Sequence, residues 1–338
     1  MNLEKELKRN GIKDPYRINI KDRLYVCRAI SNLLSKKIKF LSDKSNELLM
    51  RLYNSEIYYA DIDKKYNGVF YFYKTNTLYL DRNFIFPNGY EEMTISSNLI
   101  HEAIHIIQNY SEIKNKNRQI GLCRFDDLKI FMFAMNEAFI EYYSLKASGK
   151  RLRRFKQNEE GISLYTLDNN AYKYLTNLSH ELVYLLGEEK LQNSLFSSND
   201  LFENDFFNHF EDNGYYIVES IEYILKNSSN SMLVIKRFLE VQKVIYETYF
   251  LKVVKKLKTI EEVDKEVIKL EEYAKIIGIS KYKIEENEFE IFKKEMESKL
   301  LKQYAYISNK NSVNSLAVVN NNIFSKIGNR IKLMRYKI

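Results

Sequence analysis

Apolar residues recur at strand spacing in one early stretch of this chain and at helical spacing through most of the rest. Gly68-Val-Phe-Tyr-Phe-Tyr73 and Thr77-Leu-Tyr-Leu-Asp81 are aromatic-rich apolar runs separated by Lys74-Thr75-Asn76, which predicts a β-hairpin. Leu99, Ile100, Ala103, Ile104, Ile106 and Ile107 follow without Gly or Pro, so a helix is expected there, capped by Thr94, Ser96 or Ser97. Ile130, Phe131, Phe133, Ala134, Ala138, Phe139 and Ile140 predict a second apolar helix. Beyond it the periodicity predicts helices over about 169–186 (Asp168 or Asn169 as cap, Gly187 as stop), 214–227, 231–257, 259–276 and 284–304. Ser194 to Asn213, rich in Asn, Asp and Ser, predicts a break between helices. Asn309 to Asn322 reads as a flexible link, and Ile323 to Ile338 as a basic, amphipathic tail. There is no internal repeat. The pattern as a whole predicts an α+β fold, predominantly helical.

Composition narrows this picture. A chain of 338 residues holds one large domain or two ordinary ones. Its 45% hydrophobic and 14% aromatic content supports a real core, and only two Pro and ten Gly agree with mostly helix. No apolar run of ~20 residues exists, so no membrane span is expected. Met1 to Asn10 is charged and lacks the apolar region of a signal peptide, which points to the cytoplasm, to another export route, or to a leader already removed. Cys27 and Cys123 form no C-x-x-C pair and suit a reducing compartment. The net charge of +8 comes from 53 basic residues scattered among 45 acidic ones, with no compact nucleic-acid motif, which argues against a nucleic-acid partner. The clearest basic cluster, Lys150-Arg-Leu-Arg-Arg-Phe-Lys156, reads first as a solvated helix end and second as a patch for an acidic partner.

The candidate chemistry sits in His101-Glu102-Ala103-Ile104-His105, the H-E-x-x-H pattern of zinc hydrolases. Four residues apart on a helix, both imidazoles share a face and can reach one metal ion. Glu102 lies beside that face, where it can touch a metal-bound water rather than the metal. Downstream, Glu137 and Glu141 are again four apart on one helical face, inside an otherwise apolar stretch. Buried carboxylates are costly unless paired or metal-bound.

Together the two segments resemble the gluzincins, the thermolysin-like zinc metallopeptidases, whose second helix carries N-E-x-x-x-D. The match is Asn136-Glu137-Ala138-Phe139-Ile140-Glu141, with Glu in place of the final Asp. The resemblance implies His101, His105 and Glu137 as ligands of one Zn2+, Glu102 as general base, and Glu141 orienting a ligand histidine with Asn136 nearby. It also implies an oxyanion-stabilising Tyr or His, for which His180, His209, Tyr165 and Tyr172 are candidates. Zincins place a peptide-binding edge strand before the metal helix, which points to Thr77, Leu78, Tyr79 and Leu80, with the loop from Arg82 to Gly89 rimming the cleft. A metzincin extension is excluded, because Gln108 and Ser111 stand where Gly and His are needed.

The expected organisation is a zincin-like domain over 1–190, a helical subdomain over 191–308 forming the other wall of the cleft, and a link and tail over 309–338. The expected function is zinc-dependent hydrolysis of a peptide or protein substrate, with no aminopeptidase signature and hence an endopeptidase preference. Two rivals are a catalytically silent binding protein on a zincin scaffold and a regulatory protease with a single protein target.

Overall fold

The computed structural model describes residues 3–66, 68–82, 96–114, 119–126, 129–150, 153–156, 162–166, 172–227, 231–280 and 284–313. Among these, twelve α-helices and ten short strands make an α+β fold that is predominantly helical. No helix of the described residues is long and apolar enough to cross a membrane.

The N-terminal layer runs α1 (Leu3–Arg9), β1 (Ile12–Arg17), α2 (Ile20–Lys37), α3 (Ser45–Tyr53), β2 (Glu56–Ile62), β3 (Val69–Phe72) and β4 (Thr77–Asp81). Asn19 caps α2 by accepting from the Asp22 N–H at 2.9 Å, and Val26, Ile30 and Leu34 then fall on one buried stripe. The predicted hairpin is present, with a 3₁₀ turn over Tyr73–Thr75 and Asn76 in the left-handed region at φ 50°. The strand order is β1-β2-β4-β3, with β2 and β4 parallel and the other pairs antiparallel. Leu78 and Leu80 face the main core, while Tyr79 packs on the opposite face with Leu7, Ile12, Ala60 and Phe72.

This arrangement corrects the edge-strand expectation. Thr77, Leu78, Tyr79 and Leu80 lie in an interior strand, bonded on both sides and covered on both faces. The edge beside the helix that carries His101 and His105 is β3. A strand that is apolar at consecutive positions is one whose two faces are both buried, which fits the middle of a sheet rather than its rim. Of the expected rim loop, Arg82 to Gly89, all but Arg82 lies outside the described residues.

The central layer contains α4 (Ser97–Lys114), the small sheet of β5 (Gln119–Ile120), β6 (Cys123–Asp126) and β7 (Lys129–Phe131), then α5 (Phe133–Ala147). Of the three expected caps for α4, Ser96 does the work: its Oγ accepts from Leu99 N–H at 3.2 Å. Helix α5 is buried on nearly all sides, and it packs on α4 and on helices that follow. Its first turn carries no side-chain cap of its own; the Ala134 N–H instead donates to Glu222 Oε1 at 2.8 Å.

Next come β8 (Arg153–Lys156), β9 (Ile162–Thr166) and α6 (Lys173–Leu186). The basic cluster is therefore not a helix end. Helix α5 stops at Ala147, and Arg153–Lys156 pairs antiparallel with β9, while Arg154 donates to the carbonyls of Lys275 and Ile277. Helix α6 ends as expected at Gly187, whose φ of 87° breaks the spiral while its N–H still reaches the Val183 carbonyl. Its expected caps, Asp168 and Asn169, lie outside the described residues.

The predicted break over Ser194–Asn213 is instead helical, as α7 (Glu189–Ser197) and α8 (Leu201–Phe210), followed by α9 (Asp212–Lys226). The polar residues are the junction chemistry: Ser194 Oγ accepts from Phe202 N–H at 2.8 Å, and Asn199 Oδ1 accepts from Leu201 N–H at 3.2 Å. Phe202, Phe206 and Phe210, spaced by four, bury the α8 stripe completely, and each contributes about 2–3 kcal/mol. The chain closes with α10 (Ser231–Val254), α11 (Ile260–Ile276), β10 (Ile279–Ser280) and α12 (Ile284–Val313). A Thr259–Glu262 capping box starts α11. Helix α12 runs on through Asn309–Val313, where a link was expected; the chain from 314 onward lies outside the described residues. One cluster of buried apolar residues runs from Ile18 to Ile307.

Candidate metal centre

Helix α4 presents His101 and His105 one turn apart, with ring centroids separated by 5.1 Å. Packed against it, α5 brings Glu137 between them. Glu137 Oε2 is 3.4 Å from His101 Nε2, and Glu137 Oε1 is 3.4 Å from His105 Nε2. One donor atom from each residue lies within 4.8 Å of the other two. Charge-assisted hydrogen bonds are shorter, about 2.7–2.9 Å. Donor atoms held apart in this way leave room for one ion among them. Two imidazole nitrogens and a carboxylate oxygen are also the donor types that suit zinc, and three protein ligands leave a position open. The cluster is not sealed: the His105 side chain is 21% exposed.

Neighbouring groups fix these side chains. His101 Nδ1–H donates to Glu141 Oε2 at 3.0 Å, which turns Nε2 towards Glu137. Tyr71 of β3 meets the site in three ways. Its N–H donates to Glu102 Oε2 at 3.1 Å, its ring lies parallel to His105 at 6.4 Å, and its hydroxyl accepts from Asn109 Nδ2 at 2.6 Å. The hydroxyl donates in turn to Asn76 Oδ1 at 2.9 Å.

The electrostatics are those of a shared site. Burial pushes the His101 imidazole down, but the adjacent Glu137 carboxylate and the hydrogen bond to Glu141 outweigh it and raise its pKa to about 10. Burial pushes Glu137 up, yet the adjacent His105 and His101 imidazoles hold its carboxyl well below the usual range. For Glu102 burial wins, against the opposing pull of His105 and His101, and its pKa rises. A carboxylate whose pKa is raised is a stronger base towards a proton within its reach.

The remaining expected residues divide. Tyr172 starts α6 close to the cluster: burial raises its hydroxyl pKa first, and the charges of Glu137, Glu141 and Glu102 add to it. His180 and Tyr165 stack on one another at 5.3 Å, and His180 bonds the Tyr142 hydroxyl. Neither has a described contact with the cluster. His209 is bonded to the Asp205 carbonyl within α8 and stacks on Tyr249, again away from the cluster.

Asn136 is a correction. It does not turn towards the ligands but links elements: its Oδ1 accepts from Gln108 Nε2 at 3.1 Å and Leu122 N–H at 3.0 Å. One residue before Glu137 on a helix, a side chain is rotated about 100° away, so the two cannot share a target. Tyr71, Gln108, Asn109 and Glu222 hold the site together without standing out in the sequence. Tyr71 is one aromatic in a run of four, and Gln108 announces itself only as the next turn of the histidine face.

Comparison with known protein families, curated proteins and solved structures finds no match to this chain.

Proposed function

We propose that this protein is a zinc-dependent peptide hydrolase of the gluzincin type. The observation that carries the reading is the convergence of His101, His105 and Glu137 on one point, with Glu102 beside it and Glu141 behind His101. A zinc ion held there would supply Lewis acidity towards water and towards a scissile carbonyl. His101, His105 and Glu137 would hold it. Glu102 would take a proton from the attacking water at a carboxylate oxygen and pass it to the leaving amine. Tyr172 is the candidate to donate a hydrogen bond to the developing oxyanion, being the one of the four candidates whose hydroxyl feels the site's carboxylates.

The substrate in this reading is an extended peptide laid along β3. Among the described strands β3 pairs only with β4, and the Tyr71 N–H points off its outer side towards Glu102.

Elemental mass spectrometry of the purified protein tests the metal, with wild type beside His105→Ala. About one zinc per chain, lost in the variant, supports the reading. No metal in either, even after zinc is added, overturns it. Glu102→Gln then tests the chemistry, on a peptide library. Hydrolysis should vanish while zinc stays bound. A zinc-binding wild type with no hydrolysis of any peptide would instead favour the silent-scaffold alternative.

A further inference from the structure

A second concavity, of about 550 Å³, opens between the C-terminal halves of α5 and α6, and none of the three metal-cluster residues lines it. Its volume falls within the range of small-molecule sites, roughly 300–1,000 Å³. Tyr142, Tyr184, His180 and Val183 form its walls. The His180 ring is held nearly parallel between Tyr142, at 6.0 Å and 22°, and Tyr165, at 5.3 Å and 21°. Burial, with the Lys146 charge adding to it, pushes the His180 pKa down to about 4, so this wall is uncharged at neutral pH. A methyl placed on Gly187 at the rim would meet nothing within 4 Å, so the opening there is clear.

The charges at this pocket do not balance. Lys146 is neutralised by Glu188 at 2.5 Å, and Glu188 also accepts from Gln192 Nε2 at 2.9 Å. Lys150, exposed at the rim, has no carboxylate partner among the described residues. Among the described residues, the result is an aromatic-walled hole with a cation at its mouth that no carboxylate compensates. Aromatic faces favour a flat apolar body, and a lysine ammonium favours an anion.

We infer that this pocket binds an aromatic carboxylate, its ring against Tyr142 and Tyr184 and its carboxylate on Lys150. The same chemistry is offered by a free aromatic acid and by a peptide ending in an aromatic residue. The site does not depend on the metal cluster, so it stands or falls apart from the peptidase reading.

Isothermal titration of the 338-residue chain with 3-phenylpropionate tests this, with chelator-treated and zinc-loaded samples side by side. Saturable binding is expected in both. The neutral analogue 3-phenylpropionamide should bind at least about tenfold more weakly, as loss of a charge-assisted hydrogen bond requires. Lys150→Glu should weaken the acid by a similar factor; Lys150 is exposed, so the fold tolerates the change, and circular dichroism checks it. N-acetyl-Ala-Phe binding more tightly than 3-phenylpropionate identifies the peptide C-terminus as the source, and the reverse order identifies the small acid. Absence of saturable binding overturns the proposal. So does equal binding of acid and amide, unchanged affinity in Lys150→Glu, or binding that disappears on chelation and so belongs to the metal.

Discussion

Gly121 locks α4 and α5 together, and adding one methyl group there should loosen both the fold and the candidate metal site. It lies buried in the turn between β5 and β6 at φ 58°. An alanine Cβ would stand 2.3 Å from Gln108 Nε2 and 2.4 Å from Asn136 Oδ1. Those two atoms are the bridge between α4 and α5: Gln108 is three residues beyond His105, and Asn136 is one before Glu137. Neither amide can retreat easily, since Gln108 Nε2 also donates to the Leu195 carbonyl at 3.1 Å and Asn136 Oδ1 also accepts from Leu122 N–H at 3.0 Å. Placing a non-glycine residue in the left-handed region costs about 1 kcal/mol. Displacing two buried hydrogen bonds costs about 1 kcal/mol each, and more if a group is left unpaired. Gly121→Ala should therefore lose about 3 kcal/mol of stability, the sum of these contributions. Urea denaturation in the presence of a chelator measures this on the metal-free protein. Competition with a zinc indicator measures the second effect, a zinc affinity lower by about tenfold as His105 and Glu137 drift apart. A loss below about 1 kcal/mol with unchanged zinc affinity would refute the lock.

Three further outcomes are expected. Glu137→Ala should weaken zinc binding by about tenfold or more, and unchanged metal content would move the third ligand elsewhere. Phe206→Ala, in the fully buried stripe of α8, should cost about 3–5 kcal/mol by thermal or urea unfolding; a change under about 1 kcal/mol would mean that α8 is not docked as described. The third concerns Glu181, whose carboxyl is buried between Asn177 Nδ2 and the Tyr273 hydroxyl. Burial raises its pKa from 4.5 to about 8 against the opposing pull of both hydrogen bonds and of Arg154. Between those values the folded state holds a proton that the unfolded chain has released. Stability should therefore fall as pH rises from 4.5 to about 8, by up to about 1.4 kcal/mol per pH unit. Glu181→Gln should flatten that slope and gain stability at pH 8. An unaltered slope in the variant would show that Glu181 is not its source.

Much of this molecule was legible in its sequence because local patterns survive folding. Helical period and Gly187 as a stop both act within a few residues of where they stand. The helix of the candidate site was readable for the same reason, since His101 and His105 share a face wherever that helix is placed. The misreadings have physical causes too. Asn, Asp and Ser between 194 and 213 suggested a loop, yet Ser194 and Asn199 accept from the first N–H groups of α8, and the phenylalanines of α8 supply burial that outweighs polarity. Lys150–Lys156 looked like a helix end, but residues 153–156 pair with β9, and the carbonyls at the end of α11 gave Arg154 partners far away in sequence.

What the chain decides by itself is therefore which residues can act together on one element. His101 with His105, Glu137 with Glu141, and a hairpin at 68–81 follow from backbone periods of 3.6 and 2. Tertiary structure decided how those elements meet. It set α5 against α4 so that Glu137 falls 3.4 Å from both imidazoles. It put β4 inside the sheet and left β3 beside Glu102, and it separated His180 from the cluster while keeping Tyr172 near. These are relations between segments tens of residues apart, fixed by which faces bury together, and no local pattern encodes a distance across a core.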